Sequence, residues 1–314
     1  MPNLENQKRI QKKGFAFHMK QNRQFILLCL PAMILLFVFC YIPMAGISFS
    51  FFDFNLRGGI NIREVVGFDY FIQFFKALNF SRIIKNTVLL STLSILISFP
   101  IPIIFALMLN EVRSKAFKRT AQTITYMPHF ISTVIVVSIL QDLVNPNNGI
   151  INQALLSMNV IQSPINFMME PKWFRTLYIG SDIWQHFGWN SILYLAALSS
   201  VDQQLYEAAT IDGAGKWKQL LKITLPCISP VIVTMLILSF GSVMNVGFEK
   251  VWLMMNDATR ETAEVIATYT YEKGIIGNNF GFGTAVGLLN AVINLILLVI
   301  FNKICRKVSE VSLW

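Results

Sequence analysis

Two stretches concentrate the groups that could do chemistry. The first is Asp182–Asn190, where a carboxylate, an amide, an imidazole and two indoles fall within a few turns of one apolar run. Hydrophobic spans rarely carry so many polar groups unless they line a cavity. Flat rings beside amide and imidazole groups suit a sugar, whose C–H face stacks on an indole and whose hydroxyls need donors and acceptors together. Helix packing or an interfacial belt is the plainer account of Trp184 and Trp189, and a helix-to-helix hydrogen bond that of His186 and Asn245. The second stretch, Tyr206–Pro226, is charged although it lies between two apolar runs. Its Gly213-Ala214-Gly215-Lys216 hints at a phosphate loop and fails as one. That loop needs Gly at 210 and Ser or Thr at 217, and the chain has Thr210 and Trp217. Energy for any work must therefore come from a partner.

Other chemistry finds little support. Asp182, Glu249, Asp257 and Glu264 have no spacing that suggests an acid–base pair. Together with Lys250, Arg260 and Lys273, which could greet an acidic ligand, those outside the spans read most simply as solvated loop charge. The 3 histidines are far apart in sequence, which gives a His-based metal site no footing. Cys29, Cys40, Cys227 and Cys305 lie in or beside apolar runs and read as buried small hydrophobes.

The elements that must position these groups are membrane helices. Hydrophobic residues make up 54% of the 314 residues, charged residues 14%, and mean hydropathy is +0.54. This composition lies outside the soluble range. Apolar runs of spanning length cover 25–47, 86–109, 121–143, 177–200, 226–246 and 283–304. The fold class is an all-α membrane protein with six transmembrane helices. Residues 1–24 form a basic segment ahead of a transmembrane domain over 25–314, and the run at 25–47 is too long for a signal peptide. Pro31 and Pro43 could kink the first helix, and Gly188 could loosen or break the fourth. Pro100 and Pro102 suit a second helix that faces protein, where neighbours can satisfy freed carbonyls. Arg57-Gly58-Gly59 reads as a turn, and Asn145–Gly149 must contain turns.

Six spans put both termini on one side, and charge says which. That side holds 16 of the 26 Lys and Arg and 6 of the 17 acids; the other holds 10 and 11. The positive-inside rule makes the termini and the 202–225 loop cytoplasmic.

That loop reads as a helix–turn–helix shelf. Tyr206, Ala209 and Gly213 share a face of a helix over 202–211, and Asp212-Gly213 is a turn dipeptide. Over 216–223, Trp217, Leu220, Leu221 and Thr224 share one side, and Lys218 and Lys222 another. Leu225 precedes Pro226, which predicts a non-helical Leu225 and a new helix opening at Pro226. An amphipathic helix lying on the bilayer is the alternative reading.

The shelf resembles the cytoplasmic coupling loop of binding-protein-dependent ABC importer permeases. Their pattern, E-A-A-x-x-D-G-A followed by an apolar residue and L-P, is met in order by Glu207, Ala208, Ala209, Asp212, Gly213, Ala214, Ile223, Leu225 and Pro226. The whole chain from about Phe25 is similar to the maltose-type carbohydrate permeases, and its short form and C-terminus to their Gram-positive oligosaccharide branch. The resemblance implies a type I importer permease fold in which Glu207–Ala214 meet an ATPase. It implies a substrate pathway near Gln185, His186, Trp189 and Asn190 on the fourth helix and Ser239, Val243, Asn245 and Val246 on the fifth. Val243 and Val246 stand where the maltose permease has amides, which points away from maltose; the Gram-positive branch, which includes permeases for pectic and other complex or acidic oligosaccharides, implies a substrate of that kind. It further implies a second homologous permease, two cytoplasmic ATP-binding subunits, an extracellular solute-binding lipoprotein and a bacterial plasma membrane. No cofactor is implied in this chain, since ATP and Mg belong to the ATPase partners. A peptide or amino-acid importer, a secondary transporter and a membrane-embedded enzyme remain alternatives at this stage.

Overall fold

The computed structural model describes residues 22–55 and 61–309. The basic N-terminal segment apart from its last three residues, the turn expected at Arg57-Gly58-Gly59, and residues 310–314 lie outside the described residues. The chain forms α1 (Arg23–Phe51), a two-stranded antiparallel ribbon of β1 (Phe52–Asn55) and β2 (Asn61–Val65), α2 (Asp69–Phe75), α3 (Phe80–Glu111), α4 (Lys115–Phe130), α5 (Thr133–Leu143) and α6 (Ile150–Ser157). There follow α7 (Phe174–Ser199), α8 (Gln203–Ile211), α9 (Lys216–Gly241), α10 (Phe248–Met254), α11 (Arg260–Ala263), α12 (Ile266–Thr270) and α13 (Phe280–Ser309).

Among the described residues, α1, α3, α9 and α13 are each long and apolar enough to cross a membrane. The third expected span is instead broken: α4 and α5 meet at 102°. Pro128 sits in a 3-10 turn, Ile131 turns extended, and Ser132 caps a new helix by accepting from the Ile135 N–H at 3.4 Å. The remaining expected span is α7, 26 residues long and polar at its middle.

Gly188 does not loosen α7, which runs unbroken. A Cβ there would stand 2.2 Å from the Thr125 carbonyl oxygen, so the missing side chain lets α7 lie directly on α4. Close backbone approach of this kind drives helix association where lipid removes the hydrophobic contrast between helices.

Two further corrections concern proline. Leu225 is helical (φ −63°, ψ −44°) and Pro226 continues a helix that begins at Lys216. A π turn over Leu220–Thr224 makes this possible: the Leu225 N–H bonds the Leu220 carbonyl, one residue further back than in an α-helix. The same device precedes Pro43, where a π turn over Phe37–Tyr41 sends the Ile42 N–H to the Phe37 carbonyl. The wider turn shifts the carbonyl row that a proline ring would otherwise meet.

α7 is the central helix. On one side its Phe174, Tyr178 and Ile179 pack with Leu90, Val137, Val251 and Met254. On another, Tyr194, Leu195 and Leu198 meet Ala106 and Leu109 of α3 and Ile228 of α9. α3 thus faces protein, as its two prolines require, with Pro102 buried. A third cluster joins Phe74 and Ile83 to Tyr269, Phe282 and Val286. The cysteines correct the expectation of burial: Cys29, Cys40 and Cys227 are exposed. An apolar run in a membrane chain can be covered by lipid instead of protein, so apolarity does not imply an inward side chain.

Candidate functional site

α3, α7, α9 and the segment after α9 enclose an open cavity of about 810 Å³. Trp189 and Asn190 of α7, Ser239 of α9 and Val243, Asn245 and Val246 beyond it all line this space. α9 ends at Gly241, five residues short of the expected boundary, so the last three lie on irregular backbone and not on a helix face. Non-helical backbone at such depth is tolerated where it lines a cavity. Asn245 also joins helices: its Oδ1 accepts from Asn290 at 2.8 Å and Asn294 at 3.0 Å.

Gln185 and His186 do not line the cavity. Gln185 is buried, and its Nε2 donates to the Ile131 carbonyl at 3.0 Å. That carbonyl sits at the α4–α5 break, so Gln185 supplies a hydrogen bond that a continuous helix would have made internally. His186 turns to Asp182, with Nδ1 3.2 Å from Oδ1. Its ring also lies 5.4 Å from that of His129, so the fold gathers two histidines that are distant in sequence. His129 in turn stacks on Trp189, with centroids 4.5 Å apart and planes 3° from parallel. No metal-holding group of three His, Cys, Asp or Glu side chains occurs among the described residues.

Residues not singled out in the sequence complete the lining. Ser91, Ser94 and Ser98 stand at i, i+3 and i+7 on α3 and face the cavity. Their hydroxyls are buried and have no hydrogen-bond partner among the described residues. Seven-residue spacing of serines inside an apolar run was the available signal. Tyr178 and Gly247 line it too, together with Asp182, which the sequence had already singled out.

Asp182 leads out of the cavity to Lys250 of α10, 3.5 Å away. Lys250 is only 5% exposed and Glu264 2%, so neither is a solvated loop charge. Glu264 pairs with Arg82 and, at 3.2 Å, with Arg260, which also meets Glu272 at 2.7 Å. These contacts raise the Arg260 pKa above its ordinary value, led by the hydrogen bond to Glu272. Asn86 donates to the Glu261 and Glu264 carbonyls at 2.8 and 3.1 Å, which ties α3 to α11.

The shelf folds as a helix–turn–helix. Asp202 caps α8 by accepting from the Gln204 N–H at 2.9 Å. Gly213 adopts φ +74°, a conformation glycine takes without strain. Gln219 clamps the turn by donating to Thr210 at 2.9 Å and the Ala214 carbonyl at 3.0 Å. The Tyr206 hydroxyl meets that of Thr224 at 2.9 Å. Glu207, Ala208, Asp212 and Gly213 are exposed, while Ala209 and Ala214 are half-buried. Trp217 and Leu221 do not share an inward side with Thr224: they are 78% and 61% exposed, against 5% for Thr224, across the π turn. Ile211 is likewise 87% exposed.

Residues 98–310 match the family described as binding-protein-dependent transport system inner membrane component. The chain is 42% identical to the polygalacturonan/rhamnogalacturonan transport system permease protein YteP of Bacillus subtilis (strain 168), over 98% of this chain and 95% of that protein. It is 41% identical to Protein LplB of the same organism, over 94% and 92%. Among solved structures, a bacterial alginate ABC transporter in complex with an alginate pentasaccharide-bound periplasmic protein contains a chain that superposes with a TM-score of 0.86. That chain is 38% identical, and the match covers 95% of this chain and 99% of that one.

Proposed function

The chain belongs to the binding-protein-dependent transport system inner membrane component family, and from that premise we propose that it imports a complex or acidic oligosaccharide. It is a multi-pass membrane permease with the type I importer fold, a transport subunit and not an enzyme. The lining of the cavity carries the saccharide reading. Three serines of α3 line the same cavity as an indole and two asparagines, which sets small polar residues beside a flat apolar face. The relatives named for polygalacturonan and rhamnogalacturonan, and the neighbour seen with alginate, support an acidic polymer fragment as the cargo.

In this reading the shelf, with Glu207, Ala208, Ala209, Asp212, Gly213 and Ala214, docks on a cytoplasmic ATP-binding subunit. Its small exposed residues permit close approach, and Glu207 offers an acid to a basic partner. The chain pairs with a second homologous permease, so that two cavities face one pathway above two ATPases that hold ATP and Mg. A solute-binding lipoprotein delivers sugar from outside, and both termini are cytoplasmic. Closure of the ATPases moves the shelf and rocks the helices, which opens the cavity outward.

The test is uptake of labelled oligogalacturonides into proteoliposomes that hold the full assembly. Import should need internal ATP and the binding protein. Import driven by an ion gradient without ATP would refute the proposal, and accumulation of peptides in place of saccharides would reassign the cargo.

A further inference from the structure

Lys250 is the buried charge that the transport reading leaves unused. It is 5% exposed, and its ammonium makes no hydrogen bond to any described residue. A buried cation in that state is costly unless something pairs with it. Two groups stand near. Asp182 Oδ1 lies 3.5 Å away, beyond good hydrogen-bond length, and the Tyr178 ring centroid 5.5 Å away. The same Asp182 oxygen is approached more closely by His186, at 3.2 Å. Asp182 and Tyr178 both line the cavity, as does Gly247, three residues before Lys250. Gly247 has no Cβ, and one would stand 3.1 Å from the Tyr178 hydroxyl. Lys250 therefore stands directly behind the cavity wall, its ammonium beside the carboxylate and the phenol that line it and ion-paired only at 3.5 Å.

We infer that Lys250 marks a carboxylate subsite of the cavity, and that its ligand class is a saccharide bearing a uronic acid carboxylate. The inference rests on the saccharide reading above and deepens it. One ammonium balances one carboxylate, and the charge-assisted bond so formed is short and strong compared with a bond to a neutral hydroxyl. His186 meets the Asp182 oxygen at 3.2 Å, so Asp182 is not left to Lys250 alone. A neutral sugar meets the same cavity lining and gains nothing from Lys250. The residue therefore sets selectivity for charge and not for saccharides in general.

The competing role is charge balance: Lys250 would serve only to neutralise Asp182. Equilibrium binding to the assembled permease–ATPase complex, without the binding protein, separates the two, with trigalacturonate and its methyl ester as probes. Lys250→Met should weaken trigalacturonate about tenfold, the scale of one charge-assisted bond, and leave the ester within about twofold. Lys250→Arg should retain the acid preference. The double variant Lys250→Met, Asp182→Asn buries no lone charge and keeps the test valid if the single variant fails to fold. It should remain deficient for the acid. Equal loss of both probes, no loss of either, or full recovery of acid binding in the double variant would overturn the subsite. Failure of the unaltered complex to bind either probe would overturn the saccharide reading beneath it.

Discussion

Single side chains in this protein take their roles from neighbours that the sequence does not reveal. Gln185 and Trp189 lie one turn apart on α7, yet one mends a broken helix and the other lines the cavity. Gln185→Leu should leave the Ile131 carbonyl unsatisfied, at about 1–3 kcal/mol. A lower thermal midpoint of the solubilised protein would register this, and an unchanged midpoint would contradict it. Trp189→Ala removes a stacking surface and its own contact with His129. Import should fall by about tenfold at most, the scale of one aromatic contact, while ATPase subunits still co-purify. Loss of co-purification would make Trp189 a structural residue. The serine row at 91, 94 and 98 was legible as a spacing, but small polar residues inside apolar runs commonly bond their own helix, and only the fold leaves these without partners. The burial of Lys250 and Glu264 was not legible, because it is set by α10 and α11 folding back onto α7 and α3.

At the scale of elements, apolar length located four of the six expected spans as single helices, while a fifth is bent and α7 is not apolar enough to be recognised by length and composition; the residues near prolines and glycines carried the other errors. Pro128 and His129 sit at a 102° break that a window of hydrophobicity reads straight through. Pro226 does the opposite and sits in continuous helix, because a π turn accommodates it. Neither outcome follows from proline alone; each depends on which carbonyls neighbouring helices can satisfy. Gly188 is read correctly only once Thr125 is known to lie against it. Gly188→Leu should force α4 and α7 apart, at about 1–3 kcal/mol or more. The measurement is yield and thermal midpoint of the purified protein, and normal values would show that the contact is dispensable. The shelf was the most legible element, since a capped helix, a glycine turn and a second helix are encoded locally. Glu207→Lys should leave it folded, because Glu207 is exposed. A like charge placed against a basic partner costs several kcal/mol. Import and stimulated ATP hydrolysis should fall by about a hundredfold or more, since about 2.7 kcal/mol corresponds to that factor. Wild-type transport in this variant would remove the docking role.

For the molecule as a whole, the same two helices, α7 and α9, join the cavity to the shelf. α7 carries Asp182 and Trp189 in the cavity and runs to Ser199, four residues before α8 begins; α9 rises from the shelf and brings Ser239 to the cavity. In the proposed mechanism, a push on the shelf reaches the wall of the cavity through these two helices. Docking of an ATPase requires the shelf to face the cytoplasm, where nucleotide is. The most direct measurement is labelling of Ile211→Cys, whose position is 87% exposed, in a background with the four native cysteines replaced by serine. A membrane-impermeant thiol reagent should react in inside-out vesicles, be blocked when the ATPase subunits are bound, and fail in right-side-out vesicles. Labelling from the extracellular side in intact right-side-out vesicles would contradict the account.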